Sequence, residues 1–461
     1  MELDPLLLSR IQFAFTVAFH IIFPSFTIGL AAWLAVLEFL GWRTGLPVYR
    51  RLFDFWIRIF TVSFSMGVVS GIVMAFQFGT NWSVLAAKGG PIQGPLLGYE
   101  TYTAFLLEAT FLGVMLFGRR RVPPPFYLLS CCMVAVGTTF SAFWIMVNNT
   151  WMQVPIGYAE IDGRFVPVDW LQIVFNDVFF VRLFHMLLAA YITTAFCVAA
   201  AGAAYTLRGV HEQEARRMIS RALVLGAILV PIQLYVGHLN GDYVHEHQPV
   251  KFAAIEARWH TEQPASEVLI AIPDPEQERN RFALSVPKLG SYIASGTWDS
   301  REVGLTDFPV EDRPPIGVPF FAFRIMVGMG IIMLLVGWTG LYLRLRNRLL
   351  HTRWFQKIVV CTFPCGFIAV LTGWFVAEVG RQPWVVYGVL RTADAHTPSL
   401  AGAEVAMSLL AYVLVYSIVF VSGITYIWRL LKAGPLPGDG QRDVVSMSTR
   451  RPIHLDNSPS S

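Results

Sequence analysis

Charge is scarce in this sequence. Of 461 residues only 14% are Asp, Glu, Lys or Arg, while 55% are hydrophobic and the mean hydropathy is +0.53. Soluble domains carry about a quarter charged residues, so an ordinary water-facing surface cannot be assembled from this chain. The net charge of +4 is small. No Lys/Arg-rich arm with interleaved aromatics is present, so the sequence gives no reason to expect nucleic acid as a partner. Cysteine is scarce too: Cys131, Cys132, Cys197, Cys361 and Cys365 all fall in apolar stretches. They offer no disulfide framework, and the Cys361/Cys365 pair has no nearby His partners for a metal. A basic segment, short apolar core and small-residue cleavage site are also missing at the start, so the first apolar block is expected to be retained.

Apolar sequence, by contrast, is abundant and comes in blocks. A bilayer core takes roughly 20 apolar residues per helix. Nine blocks of that kind run over Ile11–Leu37, Trp56–Gly79, Leu96–Gly118, Phe126–Val147, Val178–Leu207, Ala222–Gly237, Val318–Leu343, Phe355–Glu378 and Val405–Trp428. The sixth is the weakest, being short and containing Pro231. Backbone groups in lipid must bond within their own segment, so these blocks read as helices. The expected fold class is an all-α integral membrane protein with nine transmembrane helices.

Basic residues cluster after the odd blocks: Arg43, Arg50 and Arg51; Arg119, Arg120 and Arg121; Arg208, Arg216 and Arg217; Arg344, Arg346, Arg348 and Arg353. Links after even blocks are poorer in base. Positive residues stay on the cytoplasmic side, so the N-terminus is expected outside and the C-terminus inside, where Arg429, Lys432 and Arg442 agree. The chain then divides into residues 1–239 with helices one to six, an outer-side loop over 240–317, residues 318–431 with helices seven to nine, and a tail over 432–461 rich in Gly, Pro and Ser that is expected to be disordered. A loop as long as 240–317 is usually functional or disordered.

Ionisable residues inside spans are costly and functional by default. Arg58 and Arg182 lie near span ends and are set aside. His20, Glu100, Glu108, His185, Arg324 and Glu378 remain. In the topology above, His20, Glu100, His185 and Glu378, with Met326 on the seventh helix, fall at a similar depth toward the outer face. A lone intramembrane His is more often a packing group, Met326 alone reads as core filler, and Glu378 alone reads as a helix-end residue. Convergence of five helices at one depth favours a shared site, and His, Met and carboxylate are all plausible haem axial ligands. Beyond Glu378, Arg381 is placed to pair with a haem propionate, or else belongs to an interfacial aromatic belt. In the outer loop, Lys251 and Glu256 set a cation and an acid near the membrane face. A carboxylate there is apt for a quinol that must lose protons with its electrons, although a solvated charge pair is the plainer reading.

The motifs Gly373-Trp374-Phe375-Val376-Ala377-Glu378-Val379-Gly380-Arg381-Gln382-Pro383-Trp384, Phe323-Arg324-Ile325-Met326-Val327-Gly328 and Gln248 to Glu256, together with Phe78 to Trp82 and Trp151 to Gly157, resemble those of subunit I of the cytochrome bd quinol oxidase family. The resemblance runs from Ser9 through the ninth helix. It implies three haems in a multi-pass protein of the bacterial cytoplasmic membrane. His185 and Met326 match the axial pair of a low-spin haem b, with Arg324 beside it. His20 and Glu378 match ligands of a high-spin haem b and a haem d, the latter replaced by haem b in some relatives. Trp374 matches the aromatic between haems, Glu100 and Glu108 the carboxylates near the O2-reducing site and its proton path, and Lys251 and Glu256 the quinol-oxidising loop in its short form. A second membrane subunit, small single-helix subunits, lipid, and ubiquinol or menaquinol are the implied partners.

The implied activity is oxidation of quinol at the outer face and reduction of O2 to water, with protons drawn from the cytoplasm and no pump. Two other classes compete: a haem b membrane anchor of a dehydrogenase, and a proton-coupled transporter with intramembrane carboxylates. No inverted repeat of the transporter kind is visible.

Overall fold

A computed structural model describes residues 3–435. The tail from residue 436 onward, including Arg442, lies outside the described residues. Among those described, nine helices are long and apolar enough to cross a membrane: Pro5–Thr44, Pro47–Thr80, Ser83–Phe117, Pro124–Gln153, Trp170–Arg208, Glu212–His247, Gly317–Leu345, Arg353–Val379 and Gly402–Ala433. They are called the first to ninth spans below.

Local chemistry sets the span ends. Prolines open the first, second and fourth spans, where a missing N–H costs nothing. Asp4 caps the first by accepting from Leu6 N at 2.9 Å. Gly45 and Gly209 close the first and fifth at φ 65° and 66°, a left-handed turn that favours glycine. The third span carries Pro91 and Pro95 inside it and then widens to a π-helical stretch over Glu100–Phe105. The eighth breaks around Pro364 into Arg353–Cys361 and Cys365–Val379.

The sixth helix extends well past the apolar block expected at Ala222–Gly237. Its ends carry Glu212, Arg216, Asn240 and Asp242, so hydropathy fades while helical hydrogen bonding continues. The loop over 240–317 is structured. It holds a short helix Pro249–Ile255, an antiparallel hairpin of two strands, Glu267–Asp274 and Arg279–Val286, and a second short helix Leu289–Ser295. Two further small hairpins occupy the fourth-to-fifth and eighth-to-ninth links. The fold is therefore mostly helical, with its strands confined to links.

The links sort onto two faces. On one, Tyr387 N donates to Met152 O at 3.0 Å, Leu85 N to Ala395 O at 3.1 Å, and Arg391 pairs with Asp312 at 2.5 Å. On the other, Arg119 grips Glu38 at 2.6 and 3.2 Å beneath the Phe53 and Tyr127 rings, and Arg51 pairs with Glu214 at 2.6 Å. The main apolar core, with Leu34, Phe53, Trp56, Phe60 and Phe196, lies toward the second face. A smaller core around Trp82, Trp151, Phe165 and Phe179 lies toward the first. Residues expected to act fall mainly between the two cores or toward the first face. The ninth span packs Tyr416 against Phe15 and Phe19 but leaves Met407, Ile418 and Val421 more than 60% exposed, a surface suited to lipid or a partner helix.

Candidate functional site

Glu378 is a hub. It sits at the end of the eighth span, one turn beyond Trp374. Its Oε1 accepts from Asn149 Nδ2 at 2.9 Å and Gln153 Nε2 at 3.4 Å, and its Oε2 pairs with Arg381. Arg182 donates to the same Asn149. Asn149 and Gln153 are four apart on the fourth span, so one helix face presents both amides. From the outer loop, Gln248 Nε2 donates to Gln153 O at 2.7 Å, and Lys251 Nζ donates to Gln153 Oε1 at 3.1 Å and Ala377 O at 2.9 Å. Burial first, then Arg182, pushes the Lys251 ammonium to titrate well below its usual range, while Glu378 pulls it back. Three cations, Arg182, Arg381 and Lys251, thus surround one carboxylate. Arg381 is 5% exposed, and its Nε and Nη1 have no partner. Buried N–H donors left without partners are costly, and a further anion at this point would satisfy them.

Three glycines stand against three of the expected ligands. A Cβ at Gly71 would lie 3.1 Å from His20 Cε1, one at Gly237 3.2 Å from His185 Cε1, and one at Gly373 2.9 Å from Met326 Sδ. His20 Nδ1 pairs with Ser70 Oγ at 3.0 Å. His185 has Gln233 Nε2 at 3.2 Å from its Nδ1, and Gln233 Oε1 is buried without a partner. Gly330 faces Leu234 at 3.4 Å. Met326 is one turn outward of Gly330, and the sixth span runs the opposite way, so Met326 stands near the level of Gly237 and His185. Phe26 and Phe367 rings meet at 6.1 Å. Counting six residues outward from both puts His20 near the level of Gly373 and Trp374. The Trp374 ring lies against Phe375 at 5.4 Å.

The two acids of the third span face the fourth. Ser141 Oγ donates to Glu100 Oε1 at 2.8 Å. Glu108 is 5% exposed, its Oε1 unpartnered, and a Cβ at Gly137 would lie 2.6 Å from its Cγ. Gly137 and Ser141 are one turn apart, and Asn149 lies two turns beyond Ser141. The fourth span therefore carries a line of polar positions from Glu108 past Glu100 to Glu378.

Arg324 does not face the Met326 side. Two residues apart on a helix, they point about 200° apart. Arg324 instead reaches into the outer loop, donating to Ile255 O at 2.8 Å and to Val268 O and Leu269 O at 3.1 Å, above the Phe320 ring at 3.7 Å. Its Nη2 meets Glu256 at 3.3 Å and Glu267 at 3.7 Å. Lys251 and Glu256 are thereby separated: the first turns to the Glu378 hub, the second to Arg324. Arg182, Asn149, Gln153, Gln233 and Glu267 are site neighbours that sequence reasoning passed over.

Among the described residues no cluster of three or more His, Cys, Asp or Glu forms. A bare ion held by protein alone would need such a cluster. Single ligands on separate helices, glycine clefts beside them and the unpartnered Nε and Nη1 of buried Arg381 fit a planar, anionic, iron-bearing group such as haem.

The comparisons with known proteins agree. The family described as cytochrome bd terminal oxidase subunit I matches residues 8–435. The chain is 33% identical to cytochrome bd-II ubiquinol oxidase subunit 1 of Escherichia coli, over 94% of this chain and 97% of that one. It is 31% identical to cytochrome bd ubiquinol oxidase subunit 1 of Bacillus subtilis, over 94% of each. The solved bd oxidase of Geobacillus thermodenitrificans superposes with a TM-score of 0.87 at 30% identity, covering 94% of this chain and all of that one. The chain belongs to the cytochrome bd terminal oxidase subunit I family.

Proposed function

We propose that this chain is the catalytic subunit of a terminal respiratory oxidase of the bacterial inner membrane, oxidising quinol at its outer loop and reducing O2 to water within the bundle. The observation that carries the reading is the docking of Lys251 onto Gln153 and the Ala377 carbonyl, beside Glu378. It ties the segment resembling a quinol loop to the buried site by direct hydrogen bonds.

Bound haem supplies one-electron redox chemistry and an iron that takes O2. Around it, His185 and Met326 would hold a low-spin haem b, and His20 and Glu378 would hold the high-spin haem b and haem d. Arg381 and Arg182 would neutralise propionates. Lys251 orients the quinol head group, and Glu256 accepts its proton. Glu108 and Glu100 carry protons along the fourth span from the cytoplasmic side. Electrons delivered from outside and protons drawn from inside generate a proton motive force without a pump. Residues 240–317 act as the quinol loop on the outer side, as the charge distribution of the links supports. A second membrane subunit covers an exposed helical face.

The test is quinol-driven O2 consumption by the purified complex. Lys251→Met is expected to lower it at least roughly tenfold with haem content unchanged, since the ammonium contacts at 251 are lost. Wild-type turnover in that variant would remove the loop from the reaction.

A further inference from the structure

Glu256 does not stand alone. Eleven residues on, Glu267 begins the first strand of the loop hairpin and folds back against it. Both side chains are buried, at 5% and 8% exposed. One guanidinium, Arg324, meets both, at 3.3 Å and 3.7 Å. The shared guanidinium makes the two carboxylates neighbours. Arg324 also serves the carbonyls of Ile255, Val268 and Leu269, so its charge is shared among several acceptors.

Two buried carboxylates in contact cannot both ionise freely, and such pairs hold a proton between them. The charged groups acting on Glu267 are Glu256 from the turn after the loop helix, Arg258 two residues further on, and Arg324 from the seventh span. Its strand partner is Val286, and the short helix Leu289–Ser295 brings Tyr292 as its titratable side chain. Burial first, then the like charge of Glu256, drives Glu267 well above the usual carboxyl range, and the two arginines do not cancel this.

A cleft of about 170 Å³ opens beside the pair, lined by Glu256, Arg258, Trp259, His260, Ser266 and Arg279 among others. His260 and Arg279 are exposed, so the cleft reaches solvent on the outer face. Arg258 is 4% exposed, and its Nε and Nη1 have no partner. A buried cation on the cleft wall would keep water ordered there, as unpaired donors do.

We propose that Glu267 is the second member of a proton-accepting carboxyl pair with Glu256, and that the pair releases the quinol's protons into this cleft through Glu256, which lines it. The inference rests on the quinol-loop reading above. Each turn breaks one quinol O–H bond and forms one O–H bond on the Glu256 carboxylate. The pair then carries two protons, and one leaves from Glu256, which lines the cleft, to water there. The proton that remains is shared between Glu267 and Glu256, restoring the pair. Two such turns remove both hydroxyl protons, and the two electrons pass to the oxidase's redox centres.

The test uses the purified two-subunit complex with Glu267→Gln, Glu267→Asp and Glu256→Gln. The readouts are kcat against pH with a soluble quinol, and the infrared difference spectrum between oxidised and quinol-reduced states. Glu267→Gln is expected to keep the haem spectrum and the quinol KM, to lower kcat by up to roughly a hundredfold, and to lose one ionisation from the pH profile. It also loses a carbonyl-stretch band of a protonated carboxylic acid. Glu267→Asp recovers part of the rate and a shifted band. A wild-type pH profile and an intact carboxylic band in Glu267→Gln would overturn the proposal while leaving the quinol loop standing. Full turnover in Glu256→Gln would instead overturn the quinol-loop reading itself.

Discussion

Lys251 Nζ donates to the carbonyl of Ala377 at 2.9 Å, one residue before Glu378. This bond joins the outer loop to the end of the eighth span, and Gly380 leaves room for it. A Cβ at 380 would stand 3.0 Å from Lys251 Cγ and 2.5 Å from Val376 O. Gly380→Ala is therefore expected to displace Lys251, raising the KM for quinol severalfold with the haem spectrum retained. Steady-state oxidation over a range of quinol concentrations checks this, and an unchanged KM would show that Lys251 has no part in docking.

Gly237 gives the His185 ring its place, with a Cβ contact of 3.2 Å waiting there. Gly237→Val adds two methyl groups beyond that Cβ and must move the ring or the sixth span. Overpacking of this kind costs typically about 1–3 kcal/mol. The expected result is loss of the low-spin haem b signal in a reduced-minus-oxidised spectrum, with the other haem signals kept.

Arg381 and Glu378 form an ion pair whose side chains are 6% and 16% exposed. Removing one partner of a buried pair costs about 3–5 kcal/mol, because the other charge stays buried. Arg381→Met is expected to lower the thermal midpoint of the complex and its haem retention together. Arg381→Lys keeps the charge but not the fork, and should recover stability only in part.

Glu108, buried with Oε1 unpartnered, is the proposed proton relay beside the fourth span. Glu108→Gln keeps the shape and removes the ionisable group. Turnover and charge separation in proteoliposomes are expected to fall by roughly a hundredfold, while quinol reduction of the haems stays fast. Full turnover in this variant would remove Glu108 from the path.

The Glu267 carboxyl titrates above its unfolded range through burial and the adjacent Glu256. A group with a raised folded pKa stabilises the fold fully below its unfolded pKa. That contribution is lost as pH rises through the folded value. The protection of the loop-hairpin amides against hydrogen exchange, corrected for the intrinsic base-catalysed rate, is therefore expected to fall as pH climbs from the acidic side into the alkaline range. In Glu267→Gln this dependence should flatten.

Much of the architecture was legible in the residues. Apolar blocks of span length, Pro at helix starts and Gly at Gly45 and Gly209 mark most of the nine spans without any contact information. The sixth span was legible only in its apolar centre, Ala222–Gly237, because its polar ends carry no hydropathy signal. In the site, titratable residues stood out and amides did not. Asn149 and Gln153 bind Glu378 and Lys251, and their signal was two amides one turn apart at the end of an apolar block. Arg182 was set aside as a residue near a span end, yet it reaches Asn149. The direction of Arg324 was readable from helical geometry, since two residues from Met326 means the opposite side of the helix. Glu267 had no local signal. Its approach to Glu256 depends on how the hairpin folds back across the loop helix, which sequence spacing does not encode.

The proposed function requires a multi-haem site in the bundle that quinol reduces. Its most direct measurement is the reduced-minus-oxidised spectrum of the purified complex after addition of quinol, in the wild type and in His185→Ala. Quinol alone is expected to produce low-spin and high-spin haem signals in the wild type, with the low-spin signal lost in His185→Ala. A wild-type spectrum without haem, or a low-spin signal unchanged in His185→Ala, would contradict it.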